Sequence, residues 1–475
     1  MSQLESPTTN APAPLPTASE VPDTPGAPGA PGAPRAALTL ALTSAATAVA
    51  LMIYTAPMIT LPDTAAALHT PASAQAWLLN GTPLGLAALL LVAGSLADDY
   101  GRRRIFTAGT VALGLTTVLS AFTGSTWLFT LTRVAQGAAG AAILASSLGL
   151  LVHAYPSARG RLHATGVWGA FVSGGIAAGP VVAGAMPTWR AAYGVLGAAA
   201  LVIAAPSARG LPESRAPRDG RPDLAGATVF GLALVSLVAA LTLGRDGWLR
   251  APVLLLFAAA ALLVPAFALI EQRTRTPMID LTLLRRPDFL GSAAAGLFTG
   301  LAVIGLFSFL PALLQQSVGL SPMDTAWLLL LWSGLSFLVA LQAKRLAGRV
   351  SPRHQLALGF ALHAVAVVTM LGAIGAHSWP RTLPGLLIGG VGSGLLNAAL
   401  PLVAVEAVPR ARAAMGSGAQ QTFRYIGSCA GVALTIALVT SGGSPGHGTD
   451  IALIVSASLA LTGATGVLAL RERKA

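Results

Sequence analysis

The sequence predicts an all-α protein that crosses a membrane many times, and three observations carry that expectation. First, 54% of the 475 residues are hydrophobic and only 10% are charged, where soluble domains carry about 25% charged residues. A chain this poor in charge cannot cover a water-facing surface. Second, the apolar residues come in uninterrupted runs of about 20, the length a spanning helix needs, and not in the alternating segments of about 10 that build a membrane barrel. Third, mean hydropathy is +0.72 over the whole chain, so the apolar character is not confined to one anchor. With lipid as solvent, the backbone must satisfy its own hydrogen bonds, which leaves helices as the spanning element.

Residues 1 to 36 form a Pro/Gly/Ala-rich tail containing "PGAPGAPGAPRA". It has no apolar periodicity and is expected to be disordered. No basic start precedes a short apolar stretch, so it does not read as a signal peptide. Fourteen apolar segments follow, at about 38–61, 75–97, 105–123, 127–152, 164–186, 190–206, 224–243, 252–270, 289–312, 324–342, 355–376, 383–405, 414–440 and 450–470. Turn residues join them, as in "PSARG", "GRDG" and "GLSP", and a longer polar stretch at 206–223 reads as a surface linker.

Positive charge supports this count. With the N-terminus inside and the segments alternating, 23 of the 29 Lys and Arg fall in inner connections and 4 in outer ones, while Arg133 and Arg424 lie within segments. Cytoplasmic loops retain positive charge, and one helix more or fewer would invert the bias downstream of the error. Both termini are therefore expected in the cytoplasm. The net charge of +12 reads as orientation and contact with anionic lipid, not as a nucleic-acid surface. The lone cysteine, Cys429, excludes an intramolecular disulfide.

The connection between segments 2 and 3 gathers two acids and three arginines in "GSLADDYGRRRIF". Positive-inside charge and helix caps account for the arginines but not for Asp98, Asp99 or the glycines at 94 and 101. Glycine lets this turn sit close beneath neighbouring helices, and Asp98 can accept from a helix start or an arginine. Here the sequence resembles the major facilitator superfamily, whose signature in this loop is G-x-L-a-D-r-x-G-r-r. Gly94, Asp98, Gly101, Arg102 and Arg103 match, while Asp99 stands where a basic residue is common. The resemblance implies a loop that latches the two halves together in one conformation and releases them in the other.

Further segments extend the resemblance to nearly the whole chain beyond the tail. Segment 4 carries "LTRVAQGAAGAA". An arginine inside a membrane helix is costly unless it meets water or a partner, so Arg133 either snorkels to the nearby outer surface or faces the interior. R-x-x-Q-G at Arg133, Gln136 and Gly137 resembles the signature of proton-coupled members, in which the arginine lines the cavity. Segment 5 places Gly175, Gly179, Pro180 and Gly184 in a pattern that resembles the antiporter motif G-x-x-x-G-P-x-x-G-G, with Ala183 in place of one glycine. As a bare pattern it offers a smooth face for helix packing and a kink. Segments 7 and 8, the link "RTPMIDLTLLRRPDF", and Arg424, Gly427 and Gly431 within "GAQQTFRYIGSCAGVAL" resemble the fourteen-helix drug:proton antiporters.

The resemblance implies a major facilitator fold: six-helix bundles at 37–206 and 289–475, with a linker at 207–288 that holds two extra transmembrane helices. It implies a multi-pass plasma-membrane exporter of small lipophilic or cationic compounds, working by alternating access, with protons as coupling ion and a monomer as the default. One departure weighs against proton coupling. Ile53 and Met58 stand in "MIYTAPMITLP" where the family carries an aspartate and an asparagine, and none of the 17 acids lies in mid-span. A buried carboxylate is the usual proton carrier.

His363, in the middle of segment 11, is a candidate coupling group because imidazole titrates in the right range, or it simply bonds a neighbouring carbonyl. Asn397 is the favoured buried amide for the cavity, with Asn80 and Gln342 as further amides. Tyr54, Phe298, Phe307 and Trp332 are candidate apolar lining. No phosphate-binding loop, metal-spaced His/Cys set or nucleophile with a base is present, so the sequence points to no enzyme, no cofactor and no metal. A facilitator or importer without proton coupling is the alternative, favoured by Ile53. A non-transporting sensor on the same fold is the remote one.

Overall fold

The computed structural model describes residues 33–215, 223–244, 249–274, 283, 285–343, 350–408 and 413–469. The expected disorder of the tail falls almost wholly on residues outside that set. Each predicted segment falls on helix over most of its length, and segment 11 ends early, α13 stopping at Thr369 before a run of turns at 370–377. The first half holds α1 (Ala33–Thr55), α2 (Pro57–Ala67), α3 (Gln75–Tyr100), α4 (Arg102–Ala121), α5 (Thr126–Ala154), α6 (Ala158–Gly184) and α7 (Trp189–Gly210). Next come α8 (Leu224–Gly244) and α9 (Ala251–Arg273), which pack on each other and rest on α3 and α15. The second half holds α10 (Pro287–Phe298), a π-helical turn (Thr299–Ile304), α11 (Gly305–Val318), α12 (Pro322–Ala343), α13 (Pro352–Thr369), α14 (Leu383–Glu406), α15 (Ala413–Ser441) and α16 (Pro445–Ala469). Among the described residues, 11 helices are long and apolar enough to cross a membrane.

Two predicted segments are broken, the first with an evident local cause. Segment 1 divides into α1 and α2 at Pro57. Proline has no N–H to return to the carbonyl four residues back, so the Ile53 carbonyl loses its intrahelical donor. Segment 9 divides at the π turn, a device found mostly as a single-turn bulge and often at functional sites. The remaining ends are conventional. Ser125, Ser157, Thr188 and Ser351 cap α5, α6, α7 and α13, each hydroxyl accepting from an N–H three residues on. Helix α7 continues through Pro206 to Gly210, four residues beyond the predicted end of segment 6, and the Ser207 hydroxyl donates to the Ile203 carbonyl at 2.7 Å in this last stretch.

The burial pattern is inverted relative to a soluble protein. Leu115, Leu131, Val202 and Leu262 are among the exposed large apolar residues, while Thr39, Thr43 and Thr47 form a buried stripe at four-residue spacing on α1. A hydroxyl in such a helix bonds its own backbone, as Thr43 does to the Thr39 carbonyl at 2.8 Å, so it enters the bundle without needing water. Glycine then allows backbones to meet. A Cβ on Gly137 of α5 would lie 2.9 Å from the Gly85 Cα of α3, and one on Gly431 of α15 would lie 3.0 Å from the Gly305 Cα of α11.

The halves meet along α3 with α15, α6 with α12, and α2 with α11. Asn80 Nδ2 donates to the Cys429 carbonyl at 2.9 Å, and Gln315 Nε2 donates to the Ile59 carbonyl at 3.0 Å. Ile59 packs in one cluster with Ala326 and Leu329. The α2–α11 and α6–α12 contacts gather at the helix ends predicted to face outward. On α6 the first half carries exposed Arg161, His163, Gly166 and Phe171, whereas Gly175, Gly179 and Pro180 in the second half are buried.

Candidate functional site

The break in segment 1 and the arginine of segment 4 form one arrangement. Arg133 is 0% exposed. One guanidinium nitrogen donates to the Ile53 carbonyl at 2.8 Å and to Gln136 Oε1 at 2.7 Å, and the other donates to the Tyr54 carbonyl at 3.3 Å. Ile53 is the residue whose carbonyl Pro57 leaves free. Both carbonyls belong to the last turn of α1, the negative end of its dipole. The charge is therefore balanced by a helix terminus in place of a carboxylate. Tyr193, its ring centroid 5.8 Å from the guanidinium, closes the remaining side together with Phe129 and Trp189, which stack edge-on around it. Arg133 does not snorkel to the nearby surface predicted to be outer; it is fully enclosed.

Gln136 extends the network toward that surface. Its Nε2 donates to Ser120 Oγ at 2.7 Å, Ser120 donates to Thr132 Oγ1 at 2.8 Å, and Thr132 donates to the Phe129 carbonyl at 2.7 Å. Gly137, next along the motif, is the contact with α3 already described. The R-x-x-Q-G spacing thus puts three functions on adjacent turns of α5: charge, relay and close approach.

The antiporter-motif glycines act on backbone. Cβ atoms at Gly175 and Gly179 would lie 2.8 Å from the Ala48 Cα and Met52 Cα of α1, respectively. Gly184 instead faces the second half, where a Cβ would lie 3.2 Å from the Pro322 carbonyl oxygen of α12. Pro180 lies between these two contacts, inside α6.

In the second half, Arg424 of α15 donates to Asn397 Oδ1 of α14 at 3.0 Å, and Asn397 Nδ2 donates to Ser336 Oγ of α12 at 3.3 Å. Tyr425, the next residue, meets Tyr54 edge-on with centroids 6.1 Å apart. A small chamber lies between the halves here, lined by Tyr54, Met58, Leu79, Ser308, Ser428 and Val432 among others. Of the aromatic candidates, Tyr54 lines this chamber. Phe307 is 1% exposed and stacks on Trp332 at 4.5 Å. Phe298 faces α16, within reach of Gly463. Gln342 is exposed at the end of α12.

His363 is 0% exposed. Its Nε2 lies 3.1 Å from Ser456 Oγ, which donates to the Ala302 carbonyl of the π turn at 2.9 Å. This joins α13 and α16 to the bulge rather than to the chamber.

The charged loop is held by the first half and by the stretch that follows α7. Gly101 has φ +112°, a backbone angle that favours glycine. Arg102 donates to the Gly149 carbonyl at 3.1 Å, and its N–H donates to the Ser214 carbonyl at 3.0 Å. The Arg103 N–H donates to Glu213 Oε1 at 3.2 Å, while the side chains of Arg103 and Arg104 pair with Glu213 Oε2 at 3.5 and 3.6 Å. Gly94 lies on α3 facing Ala145 of α5. The side chain of Asp98 lies outside the described residues. Sequence reasoning missed Glu213, in the stretch read as linker, although an acid between Arg209 and Arg215 is a usable signal. It also missed the Ile53 and Tyr54 carbonyls, which no residue type announces. Among the described residues, no group of three His, Cys, Asp or Glu side chains converges as a metal site.

The sequence profile of the Major Facilitator Superfamily matches residues 43–432. The chain belongs to the Major Facilitator Superfamily. It is 31% identical over 390 residues to the multidrug resistance protein Stp of Mycobacterium tuberculosis, covering 79% of this chain and 71% of Stp. It is 31% identical over 437 residues to the puromycin resistance protein pur8 of Streptomyces alboniger, with 87% and 85% covered. It is 27% identical over 376 residues to the multidrug efflux pump LfrA of Mycolicibacterium smegmatis, with 78% and 75% covered. Among solved structures, a peptide transporter aligns with TM-score 0.67 at 14% identity, over 91% of this chain and 93% of its own. A bacterial homologue of the human lysosomal transporter Spinster, inward-facing and unoccupied, aligns with TM-score 0.64 at 14% identity, over 94% of this chain and 100% of its own. At that identity the two structures speak for the fold. This superfamily member is a multi-pass helical membrane protein.

Proposed function

We propose that this superfamily member exports small lipophilic or cationic compounds across the plasma membrane by alternating access. The observation that carries the reading is the pairing of a buried, carbonyl-held arginine network on α5 with antiporter-motif glycines that pack α6 onto α1 and α12. Its curated relatives, named for multidrug or antibiotic resistance, supply the substrate class. The chain crosses the membrane fourteen times with both termini cytoplasmic, works as a monomer, and has six-helix bundles at 37–206 and 289–475 around the linker pair α8 and α9. The conformation described is closed outside, where α2 meets α11 and α6 meets α12, and opens inside along the first half of α6.

Protons are the proposed coupling ion. Arg133 holds the carbonyl of Ile53, the position at which the resembled family carries its aspartate, so the buried charge of the first half sits at that position as a guanidinium. The loop of Gly94, Asp98, Gly101, Arg102 and Arg103 serves as the latch, released in this conformation onto Glu213. Ile53 favours a second reading, a facilitator or importer without proton coupling.

The test is efflux of a panel of lipophilic dyes from cells expressing this chain or Arg133→Ala, with and without a protonophore. Uncoupler-sensitive efflux that is lost in Arg133→Ala is the expected result. Efflux indifferent to the protonophore would refute proton coupling and favour the facilitator.

A further inference from the structure

Helix α4 begins at the charged loop and leaves one face outside the bundle. Residues four apart share a helix face, and two such rows run side by side here. Arg103, Thr107, Val111 and Leu115 form one, and Arg104, Ala108 and Ala112 form the other. Each row starts on an arginine and runs into apolar residues. Together with Ala208 of α7 the two rows line a groove of about 590 Å³. Nearer mid-span the two helices touch, where a Cβ on Gly197 of α7 would lie 2.9 Å from the Gly114 carbonyl oxygen of α4. Toward the charged end, the methyl side chains of Ala108, Ala112 and Ala208 leave the space unfilled.

The groove is charged at one end only. The Arg104 side chain is 65% exposed and that of Arg103 33%. Their ion-pair partner among the described residues is a single carboxylate. Glu213 Oε2 lies 3.5 Å from Arg103 Nε and 3.6 Å from Arg104 Nε, longer than a hydrogen bond. One acid shared by two arginines leaves positive charge in excess, and exposed Arg209, next to Ala208 on α7, adds to it. Arg102 reaches instead to the Gly149 carbonyl. Along the groove, Val111 and Leu115 are exposed on a face that meets lipid. From Arg103 to Leu115 the helix rises about 18 Å, close to the ~15 Å of hydrocarbon in one leaflet.

A cationic end at headgroup level and an apolar lane one leaflet deep fit one kind of molecule. Guanidinium groups bind phosphate through charge-assisted hydrogen bonds. The cytoplasmic leaflet, toward which this end is predicted to face, carries anionic lipids. We propose that the groove between α4 and α7 is a binding site for an anionic phospholipid, with its phosphate on Arg103 and Arg104 and one acyl chain along Ala108, Val111, Ala112 and Leu115. A zwitterionic lipid brings its own ammonium to the same arginines and loses most of the attraction. The positive charge of the whole chain draws anionic lipid to the membrane face in general, whereas this groove selects one molecule and holds it beside the charged loop. The site is independent of the export reading and of the compound carried.

The experiment is native mass spectrometry of the full chain in detergent. It is titrated with phosphatidylglycerol, with phosphatidylcholine of the same acyl chains, or with glycerol 3-phosphate, and a photoreactive phosphatidylglycerol maps the bound chain. Each arginine is expected to contribute about fivefold, so phosphatidylglycerol binds roughly 25-fold more tightly than phosphatidylcholine and crosslinks within 103–115 or beside Ala208. Arg103→Gln with Arg104→Gln is expected to remove that preference, and Arg103→Lys with Arg104→Lys to retain most of it. Ala108→Leu with Ala112→Leu keeps both charges and fills the lane, so binding of both lipids should fall. Equal affinity for the two lipids in the wild-type chain overturns the proposal, as do crosslinks confined to other helices. A preference that survives the glutamine pair overturns the assigned anchor. Glycerol 3-phosphate displacing the lipid at matching concentration reveals a site for free phosphate and overturns the lipid assignment. Should the glutamine pair fail to insert, the leucine pair still decides, because undiminished binding with the lane filled overturns the groove.

Discussion

Arg133→Lys separates the two things Arg133 supplies, charge and geometry. Lysine keeps one positive charge in the same buried site, so the desolvation cost of burying it nearly cancels between variant and wild type. What changes is the fork. Arg133 donates from one nitrogen to Ile53 and Gln136 and from a second to Tyr54, at 2.8, 2.7 and 3.3 Å. An ammonium is a single point and cannot take both positions, so at least one bond to the end of α1 is lost. A hydrogen bond from a charged donor contributes about 1.5–3 kcal/mol. Losing one predicts about 2 kcal/mol less stability of the α1–α5 contact, roughly 30-fold in the equilibrium. Thermal unfolding of purified protein in detergent, followed by tryptophan fluorescence, reads the stability, and dye efflux from cells reads transport. Both are expected to fall. A lysine variant with unchanged melting and full efflux would refute the reasoning, because it would show that charge alone suffices and the fork to Ile53 and Tyr54 contributes nothing.

Other substitutions probe the remaining contacts. Pro57→Ala restores an N–H that competes with Arg133 for the Ile53 carbonyl and straightens the joint between α1 and α2; efflux is expected to drop several-fold with little loss of expression, measured as rate per inserted molecule. Gly427→Val places atoms where a Cβ alone would lie 3.0 Å from the Leu301 nitrogen, and overpacking of this kind costs about 1–3 kcal/mol, so detergent melting should shift downward and transport should fall. Glu213→Gln weakens two partly exposed ion pairs worth about 0–1 kcal/mol together in stability; melting should barely move while the rate of efflux changes, because the loop loses its hold in one conformation only. His363→Phe enlarges a fully buried side chain and loses the bond to Ser456; detergent melting is expected to fall while protonophore-sensitive transport survives, and transport that continues but no longer responds to the protonophore would refute the structural role.

Much of the architecture is legible in the sequence because its solvent is lipid. A hydrocarbon layer fixes the length of each apolar run, so the predicted segments could be laid on helices before any contact was known. The motifs in "LTRVAQGAAGAA" and "SGGIAAGPVVAGA" were equally readable, since glycine at helical spacing means close backbone approach and proline means a freed carbonyl. Pro57 itself was visible, and its consequence, an unpaired carbonyl at Ile53, follows from the i to i−4 rule.

What took up that carbonyl was decided by tertiary structure alone. Every residue has a carbonyl, so no pattern of residue types points from Arg133 to Ile53, 80 positions away. The same holds for Asn80 on the Cys429 carbonyl and Gln315 on the Ile59 carbonyl, the bonds that join the two halves. The sequence by itself determined that the chain is a helical membrane protein resembling the major facilitator superfamily, that it lacks the usual mid-span acid, and where its charged loop lies. Only the fold decided that the end of α1 meets Arg133 in place of that acid, because backbone dipoles acquire a direction and a partner only when helices pack.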